Sequence, residues 1–395
     1  MSTRRVFIKQ LSAVAGVGLT DSLGVSLHGH AEAALNPAWR MPDEGEPQQR
    51  AFLAFGAQRA IWGEFTADVQ AAQGRIARAI AEFQPVTVFC REHERQLAEA
   101  TCGSHNVSYV VTELDDIWVR DFGANFVVNG AGELGAVDFN FNGWGDKQQH
   151  ARDARLAAFA ANRYGAAQLR RSALIGEGGG IEVDGHGTGI MTESSWVNAN
   201  RNPGWSRDRV EQELKAMLGL RKIIWLPGIK GRDITDAHVD FYARFVRPGV
   251  VVANLDTDPA SYDHAVTQTH LAILKTATDA DGRTLQVHTL SPPQAPRDSR
   301  FSRNNPDFAA GYINYRQDGV ECQQIAELAG IAQQLVNLQR QRGKQLRIDH
   351  PAQRREQKIV TQCGILQLLT QCMGPLFLRR QCSGQLKLAT ALDCK

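Results

Sequence analysis

No two cysteines are spaced C-x-x-C anywhere in the 395 residues, although the chain holds seven of them, so a zinc ribbon or thioredoxin-like redox centre is not indicated. An H-E-x-x-H pair is missing as well, which removes the helix-borne zinc site of a metalloprotease. No excess of one charge sign exists: 44 Lys and Arg against 42 Asp and Glu leave a formal net charge of +2. There is thus no footprint for nucleic acid or an anionic membrane surface, and the expected partner is a small molecule. Apolar runs long enough to span a bilayer, ~20 residues, are lacking too. What is there is a chain 43% hydrophobic, able to bury a large core in one to three domains.

Residues 1–33 read as an address. Thr3-Arg4-Arg5-Val6-Phe7-Ile8-Lys9 has the twin-arginine pattern, a mildly apolar segment broken by Asp21 follows, and Ala31-Glu32-Ala33 has the A-x-A form of a cleavage site. The expectation is a bacterial protein exported folded by the twin-arginine machinery, periplasmic or secreted, with no membrane span after processing. Oligomeric state leaves no mark in the sequence.

From residue 34 onward the pattern is α/β. Helical periodicity runs from Glu64 to Glu82 and stops at Pro85; Val86–Cys90 and Val107–Val111 read as strands around a polar helix, Glu92 to Ala100. A hairpin through Gly130-Ala131-Gly132, a helix from about His150 to Tyr164 and a short strand through Leu174 come next. A second hairpin, Ile181 to Thr192, leads to helix Arg207–Leu218 with Gly219 placed to end it, and then to strand Lys222–Leu226. Strands Phe241–Val246 and Val250–Leu255 follow, with Asp258 as N-cap and Pro259 as first residue of a helix to about Ala277, and strand Leu285–Leu290. Strand, acidic loop, hairpin and helix thus recur roughly every sixty residues, which predicts repeats stacked about a common centre with their loops converging.

Three of those loops carry chemistry: Asp115 to Asp121, Glu177-Gly178-Gly179-Gly180, and Gly231 to Phe245 with His238 and Asp240 two apart. If residues 238–240 are extended, the imidazole and carboxylate share a face. Converging carboxylates are costly unless they meet a cation, and a planar guanidinium or amidine donates paired N–H bonds to two of them. Asp121, Glu177 and Asp240 suit such a ligand, and His238, its pKa raised by these acids, can protonate a leaving amine and then activate water. Trp118 is placed either as an aromatic wall on the cation or as ordinary core.

The segments DDIWVRDFGANFVVN, EGGGIEVDGHGTGIMTESSWVNANRNPGW, WLPG and TDAHVDFYARF resemble, in order and over residues 36–315, the motifs of the agmatine deiminase and bacterial-type peptidylarginine deiminase family. The resemblance implies a pentein fold, a pseudo-fivefold α/β propeller of ββαβ units, with the last unit here incomplete or aberrant. It implies hydrolytic deimination without a cofactor or metal: agmatine to N-carbamoylputrescine and ammonia, or peptidyl-arginine to citrulline. Asp121 and Asp240 would grip the guanidinium, His238 would be the acid and base, Glu177 would support substrate and His238, and a Cys thiolate would attack the guanidinium carbon.

In the family that Cys stands in a GGG-x-H-C motif near the C-terminus, which this chain lacks. Residues 316–395 hold fifteen Gln and no strand alternation, a break that reads as a frame change or a fused foreign end. Cys363, in VTQCGIL, is the one candidate nucleophile at about the right distance beyond Tyr315. Two other readings are open: a non-catalytic guanidinium-binding protein, and a metal-dependent hydrolase ligated by His238, Asp240, Glu177 and Asp121.

Overall fold

All five residues of Val86–Cys90 (β2) are buried, as befits an apolar run covered on both faces. It lies parallel between Ala51–Phe55 (β1) and Val107–Val111 (β3), and the helices Thr66–Ala81 and Arg95–Cys102 make the two crossovers. The computed structural model describes residues 39–293 and 311–314; the leader at 1–33, Tyr315 and the tail at 316–395 with Cys363 lie outside the described residues.

Three further three-stranded sheets follow in chain order: Asn125–Val128 (β4), Leu134–Asp138 (β5) and Gln168–Arg171 (β6); Glu182–Val183 (β7), Thr188–Thr192 (β8) and Lys222–Leu226 (β9); Ala243–Arg247 (β10), Val250–Asn254 (β11) and Gln286–Leu290 (β12). In each, the first two strands form an antiparallel hairpin and the third returns parallel to the second, across the helices Leu156–Arg163, Arg207–Leu218 and His264–Thr276. The best-specified of these helices is Arg207–Leu218. The Ser206 hydroxyl caps it by accepting from the Arg209 amide, Val210, Leu214 and Leu218 form its buried stripe, and Gly219 closes it in the left-handed region.

Much of the core lies between consecutive sheets. Ala54, Phe89 and Leu114 pack on Phe122 and Phe141; Val127 and Val137 on Ile181, Val183 and Met191; Ile190, Ile224 and Leu226 on Phe245 and Val251. Ile313, fully buried against Val246, Val250, Val252 and Leu290, pins the short segment 311–314 to the fourth sheet. This order delivers the loops after β3, β6 and β9, at the carboxyl ends of parallel strands, where α/β sheets hold ligands.

Four expectations need correction. The first sheet is all parallel and opens with β1, which the sequence pattern did not announce, so it is not a ββαβ unit. Residues 238–241 are not a strand: Val239–Phe241 is one 3-10 turn and β10 begins at Ala243, so the same-face argument for His238 and Asp240 does not apply. The strand expected through Leu174 ends at Arg171. Asp258 and Pro259 do not open a helix; the Asp258 carboxylate instead accepts the Ala260 amide at 2.9 Å in a turn, and the helix starts at His264.

Gly219 and Gly204 separate backbone strain from crowding. Both have positive φ, but a Cβ on Gly219 would lie 1.9 Å from the Trp39 carbonyl oxygen, whereas one on Gly204 meets nothing. Gly204→Ala is expected to cost about 1 kcal/mol of unfolding free energy and Gly219→Ala at least about 2 kcal/mol. Urea unfolding measures both, and equal losses would contradict the close approach.

Candidate active site

The three acidic loops meet. Asp121 sits in the short helix Val119–Phe122, Glu177 precedes the 3-10 turn Gly178–Gly180, and His238 precedes the turn that carries Asp240. Just before His238, Asp236 and Ala237 both adopt left-handed conformations, φ 61° and 66°, an arrangement that costs energy in residues with a Cβ. Tertiary bonds hold it. The Ala237 amide donates to Asp233 at 3.0 Å, the Thr192 hydroxyl donates to the Ala237 carbonyl at 2.6 Å, and the His238 amide donates to the Thr235 hydroxyl at 3.1 Å.

His238 Nε2 stands 3.1 Å from Glu177 Oε2, and Nδ1 stands 3.7 Å from Asp121 Oδ1. Gly179 shows how tightly the groups converge: a Cβ built there would lie 2.6 Å from His238 Nδ1, 2.7 Å from Asp121 Oδ1 and 2.9 Å from Asp240 Oδ2. Only a residue without a side chain fits among them. The Gly179 amide donates to Asp121 Oδ1 at 2.9 Å. Asp240 Oδ1, by contrast, is buried with no hydrogen-bond partner among the described residues, an acceptor that a donor-bearing ligand would satisfy.

Burial alone would lower the His238 pKa, but the charge of Asp121 and the hydrogen bond and charge of Glu177, helped by Asp240, raise it to about 9. The ring is therefore an imidazolium at neutral pH. For Asp240, burial is the largest influence and outweighs the pull of His238, so its carboxyl is pushed up to about 7. Burial would also raise Glu177, yet the hydrogen bond from His238 and the charge of Arg201 hold it below the ordinary value.

Three further residues, absent from the candidates named above, complete the arrangement. Arg201 donates through Nε to both Glu177 oxygens, at 2.8 and 2.9 Å. Trp144 donates to Asp121 Oδ2 at 2.9 Å, and Asn314 to Asp240 Oδ2 at 3.2 Å. In the sequence Trp144 lies in the run NGWGD, Arg201 in NANRNPGW and Asn314 in the run YINY, none of which marks its residue for a site. Trp118 is not core: it is 44% exposed, donates to Asp116, and meets Trp144 edge to face at 6.5 Å. Cys90 and Cys102 pack in the first sheet's core, their thiols raised by burial to about 11, so neither is an activated nucleophile. The metal-ligand reading of the four residues loses Glu177, whose oxygens Arg201 already covers.

The signs of these shifts fix a pH dependence. The stability from His238 is complete below its ordinary 6.5 and is lost as pH rises through about 9. That from Asp240 is complete below 3.8 and is lost as pH rises through about 7. The thermal midpoint is thus expected to fall between pH 6.5 and 9 by an amount that His238→Gln reduces. Melting curves across that window check it, and identical slopes in the two proteins would show that the ring is not held charged.

A family model described as Porphyromonas-type peptidyl-arginine deiminase matches residues 40–320. A candidate agmatine deiminase of Streptomyces coelicolor is 41% identical over 283 residues, 70% of this chain and 83% of its own. The solved agmatine deiminase of Enterococcus faecalis, described as catalysing its reaction, superposes with a TM-score of 0.63 at 30% identity, over 71% of this chain and 78% of that one. A Cys-to-Ser variant of C. jejuni agmatine deiminase with substrate bound does so at 0.61 and 25% identity, over 70% and 80%. Match length and identity together place the chain in the agmatine deiminase and Porphyromonas-type peptidyl-arginine deiminase family of deiminating hydrolases.

Proposed function

We propose that this chain takes a guanidinium, that of agmatine or of an arginine side chain, between Asp121 and Asp240 and hydrolyses it to a ureido group and ammonia. The convergence of His238, Asp121 and Asp240 on one point beside Gly179 carries the reading. Two carboxylates supply paired acceptors for a planar cation, and exposed Trp118 provides an aromatic wall at the rim. In this reading a thiolate adds to the guanidinium carbon, His238 gives its proton to the departing ammonia, and the ring then takes a proton from the water that displaces sulfur. Glu177 keeps the ring oriented and charged.

The thiolate comes from outside the described residues, where Cys363 is the sequence's candidate. As part of the same proposal, the four sheets are four of five blades of a pentein, supported by cores that sit between consecutive sheets. The twin-arginine leader would put the activity in the periplasm. A second reading, guanidinium binding without turnover, is favoured by one observation: the two described cysteines, Cys90 and Cys102, are core thiols.

Calorimetry and ammonia release with agmatine, arginine and a blocked arginine amide decide between them. Binding with ammonia release supports deimination, and Cys363→Ser should then abolish release but leave binding. Binding without release supports the second reading. Asp121→Asn is expected to weaken binding roughly 10- to 100-fold, and Gly179→Ala to abolish it while the carboxylates remain. Failure of the unaltered protein to bind any of the three guanidines overturns both readings.

A further inference from the structure

Arg201 is 1% exposed and spends its whole guanidinium inside the protein. Besides its two bonds to Glu177, Nη1 donates to Asp236 Oδ2 at 2.8 Å and to Asn200 Oδ1 at 3.1 Å, and Nη2 donates to the Thr235 carbonyl at 3.0 Å. Glu177 belongs to the loop after β6, while Thr235 and Asp236 belong to the loop after β9, immediately behind His238. One planar group thus clamps the two loops whose side chains meet in the His238–Glu177 hydrogen bond. Its second partner, Asp236, is the first of the two left-handed residues, so the clamp also braces the strained step that aims the imidazole.

We propose that Arg201 is a positioning residue that keeps Glu177 ionised against His238 and fixes the Asp236–Ala237 step behind the ring. The inference rests on the guanidinium reading for its functional consequence, not for its geometry. Burial pushes the Glu177 carboxyl up, and the hydrogen bond of His238 and the charge of Arg201 together oppose it. Arg201 adds its charge without competing for substrate, because its guanidinium is already turned inward.

The other groups facing the pair are Asp121 and Arg120 from the Val119–Phe122 turn, Asp233, Asp236 and Asp240 from the loop after β9, and Lys147, which holds Asp236 at 2.7 Å. Lys147 donates to Asp236 and to the Ile234 carbonyl. Arg120 donates to the Ile181 carbonyl, so neither takes the place of Arg201 at Glu177. Asp236, held at about 2, has its hydrogen bonds from Lys147 and Arg201 as the leading influences against burial.

The test reads the His238 ring by NMR in ligand-free protein with isotope-labelled histidine, together with the pH profile of agmatine affinity. In the unaltered protein the ring should titrate in one step near about 9. In Arg201→Met, Glu177 should take up a proton at higher pH, adding a second step on the acid side. The acid limb of affinity should move up by one unit or more, about a tenfold loss at a pH where the unaltered protein still binds. Arg201→Lys keeps a charge but not the planar fork, so the limb should move partway. If the Met variant does not fold, the Lys variant decides: a partial shift supports the proposal and an unshifted profile overturns it. A uniform loss of affinity at every pH with a single-step ring titration likewise overturns it, since a purely structural arginine predicts that. The ring titration needs no ligand, so absence of guanidine binding to the unaltered protein would sink the functional reading and leave this one standing.

Discussion

Everything at the centre of the fold depends on one buried hydrogen bond, His238 Nε2 to Glu177 Oε2 at 3.1 Å. A charged imidazole that is 1% exposed is expensive to desolvate, and it is tolerated because acids surround it. Around it, the carboxylates of Asp121, Glu177, Asp233, Asp236 and Asp240 face the cations His238, Arg120, Lys147 and Arg201. Five acids against four cations leave one negative charge in excess. Burial first, and this excess second, lift Asp240 to about 7, so that a proton is partly retained there. A ligand cation would meet it directly and allow Asp240 to ionise, which is why the same imbalance that costs stability favours binding a guanidinium.

That excess explains the rigidity around it. The two left-handed residues Asp236 and Ala237 are each fastened by side chains from other elements, Thr192 from β8 and Arg201 from the loop before Arg207–Leu218. Trp144, itself at φ 60°, pins one oxygen of Asp121 while the Gly179 amide pins the other. Strain of this kind persists only where surrounding bonds over-determine it, and it concentrates where function needs fixed geometry. The sheets supply the fixed frame: three times over, a parallel strand ends and its following loop turns an acid toward the same point.

The sequence made the frame legible where burial leaves a periodic trace. Val86–Cys90, Val107–Val111, Lys222–Leu226 and the helix Arg207–Leu218 lie where their apolar patterns put them: the first is buried throughout, the helix buries a stripe of Val210, Leu214 and Leu218, and Val107–Val111 is at most half-buried. Ala51–Phe55 escaped, since five nearly apolar residues without alternation or flanking turn signals do not declare a strand. Asp258-Pro259 misled because a helix-start signal serves a turn equally well. The loop acids were legible as polar residues in apolar surroundings, yet the reason first given for His238 and Asp240 was wrong. They do not share a strand face; a left-handed step and one 3-10 turn bring both to Gly179. Arg201, Trp144 and Asn314 were invisible for a different reason: each acts on a partner at least 23 positions away, and no local pattern encodes such a bond.

The same contacts discriminate among cations. A metal would need free carboxylate lone pairs from Glu177, and Arg201 covers both of its oxygens. An alkylammonium concentrates its charge on one strongly hydrated nitrogen, so moving it between side chains that are less than a tenth exposed carries a large desolvation cost. A guanidinium is more weakly hydrated and spreads its charge over a plane with donors on several edges. Asp121, Asp240 and His238 all come within 2.9 Å of one point beside Gly179, so a ligand there meets two carboxylates at once, which suits a group with donors on several edges. The unpartnered Asp240 Oδ1 adds one more acceptor than a single nitrogen can readily use. Shape, hydration and the one-charge excess all favour the guanidinium, and they do so from residues that are in place before any nucleophile arrives.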